Sequence, residues 1–233
     1  MLRIGTLNMA HERNASPMVL KAQLDFMATI ACDLWLLSEV PRTFKTVSDP
    51  GSVAFSEEMD RTHKVFAAVW AKDGIEELDL IHEAAVLVRV GGVRACIFML
   101  PSPSYPYKDW PDPGFDREGL TTTTIGRLRT GLEGGSGDLV LGGAWSQALQ
   151  GEDEISTAEG RLAVEELTSA LDLQVPTGPL PHAADGAACS IDHIAVPRAW
   201  SIVSAERVVA PQIAGHARSR DHDAYVVEVD AGA

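Results

Sequence analysis

Two stretches of this chain are apolar at almost every position, and they constrain its fold more than any other feature. Asp33-Leu34-Trp35-Leu36-Leu37 and Leu139-Val140-Leu141 are too short for helices and lack the polar alternation of a strand with one face in water. Such runs read as strands buried on both faces, which requires a sheet covered by further layers above and below. The surrounding pattern supplies those layers. Residues 2–8 alternate like a strand. Ser16-Pro17 offers an N-cap followed by proline at the first helical position, and Leu20, Leu24, Met27 and Ala31 fall on one stripe, so a helix is predicted over 17–31. Strands are predicted at 64–70, 84–90 and 93–100, the last two joined by Gly91-Gly92, a turn suited to positive φ. Residues 121–133 read as a helix, and Ser156-Thr157-Ala158-Glu159 as a capping box opening a helix to about Leu171. Strands at about 189–196, 201–209 and 224–229 close the chain. Two halves, each with strands and one or two helices, imply paired sheets with helices outside, in one domain over residues 1–233.

Composition narrows the class. Of 233 residues, 45% are hydrophobic and 22% charged, the balance of a globular protein with a sizeable core. No apolar run approaches the roughly 20 residues that span a bilayer, and Met1–Thr6 lacks the serial pattern of a secretion signal. A soluble, cytoplasmic protein is the expectation. Cys32, Cys96 and Cys189 are odd in number and sit in apolar segments, which suits buried thiols in a reducing compartment. Acidic residues outnumber Lys and Arg by 33 to 19, for a net charge of −14. A field of that sign disfavours duplex DNA but not a small phosphorylated ligand.

Several strands end in residues able to hold a metal ion or a phosphate. Asn8 ends the first strand, Glu39 follows the buried run at 33–37, Asp192 lies in Ser190-Ile191-Asp192-His193-Ile194, and Asp221-His222 precedes the last strand. A carboxylate directly after a buried apolar strand needs a partner, which singles out Glu39 and Asp192. His193, next to Asp192 in a strand, should face the opposite side and serve packing. His11, Glu12 and Arg13 follow the first strand closely enough to line the same cleft, though loop solvation explains them equally. Residues 101–119, with five prolines and several aromatics, predict a long stiff loop. Gly134-Gly135-Ser136-Gly137 precedes a strand rather than a helix, so it is a turn and not a phosphate cradle.

In order along the chain, Arg3-Ile4-Gly5-Thr6-Leu7-Asn8, Asp33–Glu39, Leu139-Val140-Leu141-Gly142-Gly143, Ser190–Pro197 and Asp221–Val227 resemble the endonuclease/exonuclease/phosphatase superfamily. The resemblance runs almost end to end and implies a DNase-I-like fold, a four-layer α-β-β-α sandwich of two mostly antiparallel sheets. It also implies that Asn8, Glu39 and Asp221 serve a Mg²⁺ or Mn²⁺ ion, with Glu39 the principal ligand. His222 would contact the scissile phosphate, and Asp192 would orient that imidazole.

Two departures matter. The family's Gly-Asp-x-Asn motif here reads Gly143-Ala144-Trp145-Ser146, so the water-activating acid is Ala144 and the phosphate-holding amide Ser146. Where family nucleases often place a histidine after the strand at 93–100, the chain reads Met99-Leu100-Pro101. Arg220 also stands where Ser is usual, either as a phosphate-binding cation or as a solvated loop charge. Losing a positioned general base typically costs ~10²–10⁴-fold in rate. Two functions are therefore expected. One is a protein with weak or lost hydrolysis that binds a phosphorylated small molecule, a lipid head group, nucleic acid or a protein partner. The other is an active metal-dependent phosphodiesterase or nuclease with a reorganised base, for which Glu152-Asp153-Glu154 is the nearest acidic run.

Overall fold

The computed structural model describes residues 1–10, 16–41, 43–47, 52–57, 66–103, 110–114, 116–151, 155–182, 189–210 and 222–232. Among them the strands form two six-stranded sheets. The first runs β11 (Ser201–Val208), β12 (Ala224–Asp230), β1 (Leu2–Asn8), β2 (Leu34–Val40), β4 (Phe66–Ala71) and β3 (Val53–Phe55). The second runs β5 (Glu76–Glu77), β6 (Ala85–Val90), β7 (Val93–Phe98), β8 (Leu139–Ala144), β10 (Asp192–Pro197) and β9 (Leu173–Gln174). Each sheet is antiparallel except for one central parallel pair, β1–β2 and β7–β8. A parallel pair needs a long crossover, and each has a helix in it: α1 (Pro17–Ile30) and α3 (Arg117–Leu132). The two halves therefore repeat one topology, which the sequence does not display as a repeat.

Three apolar cores separate four layers. Ile4, Leu34, Leu36 and Val227 from one sheet meet Val86, Ile97, Val140 and Ile194 from the other. Leu7, Trp35, Leu37 and Val226 face outward against Leu20 and Met27 of α1. Cys96, Phe98, Leu141 and Ala195 face Ile125 and Leu128 of α3, with Val164 and Leu167 of α4 (Ala158–Ala170). The expected four-layer sandwich is the observed one. The runs at 34–37 and 139–141 are apolar throughout because each feeds two cores at once.

Some boundaries differ from expectation. The helix predicted at 121–133 starts earlier, at Arg117, because the Asp116 carboxylate caps the Gly119 N–H at 2.8 Å. The cap of α4 is Thr157, whose hydroxyl accepts from Gly160 N at 3.0 Å, and not Ser156. Ser156 Oγ instead accepts from Ala148 N, so the capping box is not formed as expected. The short strands β3, β5 and β9 and the one-turn helix α2 (Phe44–Val47) carry no sequence period long enough to announce them. Cys32 and Cys96 are buried, with burial pushing both thiols up to about 12, but Cys189 is only half-buried. No helix among the described residues is long and apolar enough to cross a membrane.

Candidate functional site at the edge between the sheets

Period-two alternation decides which side chains enter the seam between the sheets. Ile4 and Thr6 of β1 point inward, so Asn8 does too; Ile194 and Val196 of β10 point inward, and so does Asp192. On β8, Val140 faces inward, and Ala144 lies two further steps along on the same face. All three residues lie at the same edge of the sandwich. Ala144 stands directly opposite Asp192 in the β8–β10 ladder.

β1 and β2 are parallel, with Asn8 beside Ser38, so both strands end together. The Asn8 amide donates to Glu39 Oε1 at 2.9 Å and accepts from Ala10 N at 2.8 Å, an orientation assigned from these partners. Asn8 is 3% exposed. The pairing of β2 with β4 shifts register between Leu37 and Val40, and Glu39 lies in that irregularity with φ +48°. A bulge re-aims the side chain it carries, and here it turns the Glu39 carboxylate to the Asn8 amide. Ala10 (φ +46°) and Ser146 (φ +51°) are also left-handed. Each such non-glycine residue costs on the order of 1 kcal/mol, and three at one edge mark a place where local geometry is held against preference.

On the other side of Asn8 lies His222. The β1–β12 register pairs Thr6 with Tyr225, and continuing it by two steps sets Asn8 opposite Asp223, next to His222. His222 Nδ1 lies 2.7 Å from Asp192 Oδ2. A carboxylate accepts, so the ring proton is assigned to Nδ1 and the neutral ring keeps its lone pair on Nε2. Asp192 is 1% exposed, and its Oδ1 has no hydrogen-bond partner among the described residues. Ser190 Oγ brackets the Asp192 backbone, donating to its carbonyl and accepting from its N–H. The dyad thus joins the second sheet, through Asp192, to the first, through His222. Asp223 instead ties β12 to β11, accepting from Ala210 N at 2.9 Å and forming an ion pair with Arg207 Nε at 2.8 Å.

The strand that should bring the acid is intact. Gly142 and Gly143 allow β8 to press between its neighbours, since a Cβ on Gly143 (φ +125°) would lie 2.3 Å from Phe98 O. Leu100 N donates to Ala144 O, and Trp145 N to Ile191 O, both at 3.0 Å. Trp145 stacks on Phe98 with centroids 5.2 Å apart and packs on His193 at 5.0 Å. Ala144 and Ser146 are 7% and 4% exposed. The other departure also holds in space, because Met99 and Leu100 are buried core residues.

The structure therefore brings Asn8 to Glu39, and His222 to Asp192 beside Ala144. His193 faces away, fully buried, with Nε2 donating to Gln147 O at 2.8 Å, as its parity requires. Asp221, Arg220, His11, Glu12, Arg13 and Glu152–Glu154 lie outside the described residues, as does part of the loop 101–119. Among the described residues no group of three or more His, Cys, Asp or Glu forms a metal cage.

Two features escaped the sequence reading. One is a second buried His–Asp pair, His82 Nε2 to Asp112 Oδ2 at 2.7 Å, extended by Thr124, by Arg127 NH1 to Asp112 Oδ1 at 2.6 Å, and by Trp110 Nε1 to Thr124 at 2.9 Å. It binds the end of the proline-rich segment to α3. The other is His182, whose ring lies 6.0 Å from that of His222. Neither had a signal, since both depend on residues 30 to 40 positions apart.

No protein-family profile and no curated protein matches this sequence. Solved structures do match its shape. The 3′ phosphatase NExo from Neisseria, bound to a product DNA hairpin, superposes with TM-score 0.69 at 15% identity over 99% of this chain and 100% of that one. The 3′-5′ exonuclease NExo from Neisseria meningitidis gives 0.69 at 16% identity, over 98% and 100%. An endonuclease/exonuclease/phosphatase protein from Beutenbergia cavernae gives 0.66 at 15% identity, over 99% of this chain and 72% of that one. The chain has the fold of the endonuclease/exonuclease/phosphatase superfamily, the DNase-I-like sandwich.

Proposed function

We propose that this is a single-domain, cytoplasmic protein of that superfamily with a partly kept metal–phosphate pocket, in which hydrolysis is weak or lost. Its role is then to bind a phosphorylated small molecule, a lipid head group or a protein partner. The observation that carries this reading is Ala144. It pairs with Asp192 across the ladder, in a strand end held by regular backbone hydrogen bonds. A methyl group accepts no proton, and the serine hydroxyl at 146 reaches less far than an amide.

The donors present fit a hard cation. Glu39 offers carboxylate oxygens, held by the Asn8 amide N–H, and Mg²⁺ commonly takes one or two carboxylates and fills its shell with water and phosphate oxygens. Asp221 would join them. When bound, such an ion would draw charge from a phosphate oxygen. This chain's own residues would hold the rest: Asn8 keeps Glu39 aimed, Asp192 fixes one proton on His222 Nδ1, and with a second proton on Nε2 the ring would donate to a phosphate oxygen.

A second reading, an active Mg²⁺- or Mn²⁺-dependent phosphodiesterase or nuclease with a reorganised base, is favoured by the intact His222–Asp192 dyad, whose imidazole can take a proton. Hydrolysis of bis(4-nitrophenyl) phosphate with Mg²⁺ or Mn²⁺ separates the two. On the first reading the natural protein stays near buffer, and Ala144→Asp with Ser146→Asn gains roughly 10²-fold or more. Turnover by the natural protein that Glu39→Gln abolishes would establish the second. If the doubly restored protein binds neither ion in a calorimeter, the pocket itself is misread.

A further inference from the structure

We propose that Ser38 belongs to the site: its hydroxyl and the free carboxylate oxygen of Asp192 hold one ordered water in the space over the Ala144 methyl. This rests on the reading of position 144 given above, and it explains how the edge keeps its shape without the acid.

The first observation is a pair of buried polar atoms without partners. Ser38 is fully buried, and among the described residues its Oγ meets no hydrogen-bond partner. Asp192 gives Oδ2 to His222 and leaves Oδ1 buried and unpartnered. Nearby hydroxyls are committed elsewhere: Thr6 donates to Leu36 O, Ser190 to Asp192 O and Tyr225 to Pro181 O. A buried polar atom left unmet is costly, so each of the two calls for a partner.

The second observation is where these atoms lie. Leu34 and Leu36 of β2 face the seam, and Trp35 and Leu37 the outer core, so Ser38 faces the seam by parity. Its parallel pairing with Asn8 keeps that register as far as Ser38. Here β2 packs on β8, for a Cβ on Gly142 would lie 2.5 Å from Leu36 Cδ1. Both strands run toward the site edge, so two residues further along each, Ser38 comes opposite Ala144. Asp192 is the cross-strand neighbour of Ala144, on the same face of its sheet. Ser38 and Asp192 therefore border Ala144 from two sides, one from each sheet.

The third observation is size. Leu36 crosses the seam to Gly142 and fills it. Ser38 and Ala144 together carry one heavy atom fewer than Leu36 and Gly142, and the deficit lies beside the two unpartnered oxygens. A water fills that deficit, donates to Asp192 Oδ1 and either donates to or accepts from Ser38 Oγ. Internal waters make about two to four such bonds. A divalent ion takes about six oxygen ligands, and Ala144 offers none, so the place suits a water and not a metal. A carboxylate at position 144 would reach into the same space. The water replaces it as a hydrogen-bond partner but not as a base, which agrees with weak or lost hydrolysis.

A crystal structure of the full chain should show one water within hydrogen-bond reach of both Ser38 Oγ and Asp192 Oδ1, kept when the crystals grow in EDTA. No water there, a cation in its place, or Ser38 Oγ bonded directly to another protein group would overturn the proposal. A double-mutant cycle reads the same space in solution. The carboxylate introduced by Ala144→Asp displaces the water and takes the Ser38 hydroxyl as its donor, so its Tm loss should be roughly twice as large in the Ser38→Ala background. Ala144→Asn, of the same shape and uncharged, serves if the acid does not fold, and the crystal structure decides alone if neither does. Additive Tm losses would show that Ser38 does not face position 144 and would end the proposal. Neither measurement involves phosphate or turnover, so a failure of the proposed function, seen as no ion binding by the doubly restored protein, is read separately.

Discussion

Asp192 and His193 are neighbours in one strand and have opposite fates, because successive side chains of a strand leave on opposite faces. Asp192 enters the seam and meets His222; His193 enters the outer core beneath Trp145. Burial there pulls the His193 pKa down from 6.5 to about 4, outweighing the hydrogen bond to the Gln147 carbonyl that favours the charged ring. The sign follows from proton uptake. Between pH 6.5 and 4 the unfolded chain binds a proton at this residue and the folded chain does not, so stability is full above that window and declines as pH falls through it. The shift corresponds to roughly 3 kcal/mol. His193→Gln should therefore lower stability at pH 7 yet flatten its decline across the window, as measured by urea midpoints against pH. Equal slopes for the two proteins would show that His193 is charged in the fold.

At the scale of elements, helix ends, a bulge and a clasp fix positions that periodicity does not reveal. The bulge in β2 carries Glu39 to Asn8, and the Thr157 cap begins α4 one residue later than a capping box at Ser156 would. The clasp around Asp112 fastens residues 110–114 to α3. Ala84 N donates to His82 Nδ1, so His82 Nε2 donates to Asp112, which also accepts from Thr124 and Arg127. Burial alone would raise the Asp112 pKa, but these hydrogen bonds outweigh it and hold the carboxyl below its ordinary 3.8. Its stabilisation is thus complete above 3.8 and lost as pH falls through the depressed value. Asp112→Ala strands the donors that faced it and should cost about 2–4 kcal/mol at pH 7, with a shallower acid limb below pH 4, read by thermal melts. Unchanged stability would mean that the segment is held by Trp110 packing alone.

Over the whole molecule, the net charge of −14 sets the far field. At about 0.15 M salt a fluorescent DNA duplex should bind more weakly than roughly 10⁻⁴ M, the weak limit of non-specific association, by anisotropy titration. Micromolar binding with a steep salt dependence would instead reveal a basic groove strong enough to override that field. The layer order was readable from the residues because strands buried on two faces, and helices apolar on one, each have few ways to be covered. Asn8, Glu39, Asp192 and His222 could be named in advance, since polar groups at the ends of buried strands must find partners. The resemblance also implied that Asp192 orients His222, whose Nδ1 lies 2.7 Å from its carboxylate; that Asn8 would hold Glu39 was not implied. The turn of Glu39 toward Asn8, the approach of His182 to His222 and the clasp on Asp112 each join residues brought together by sheet order and register, which no local spacing encodes. A chain's periodicity reports which face of an element is apolar. Which elements then lie side by side follows from packing all the layers at once.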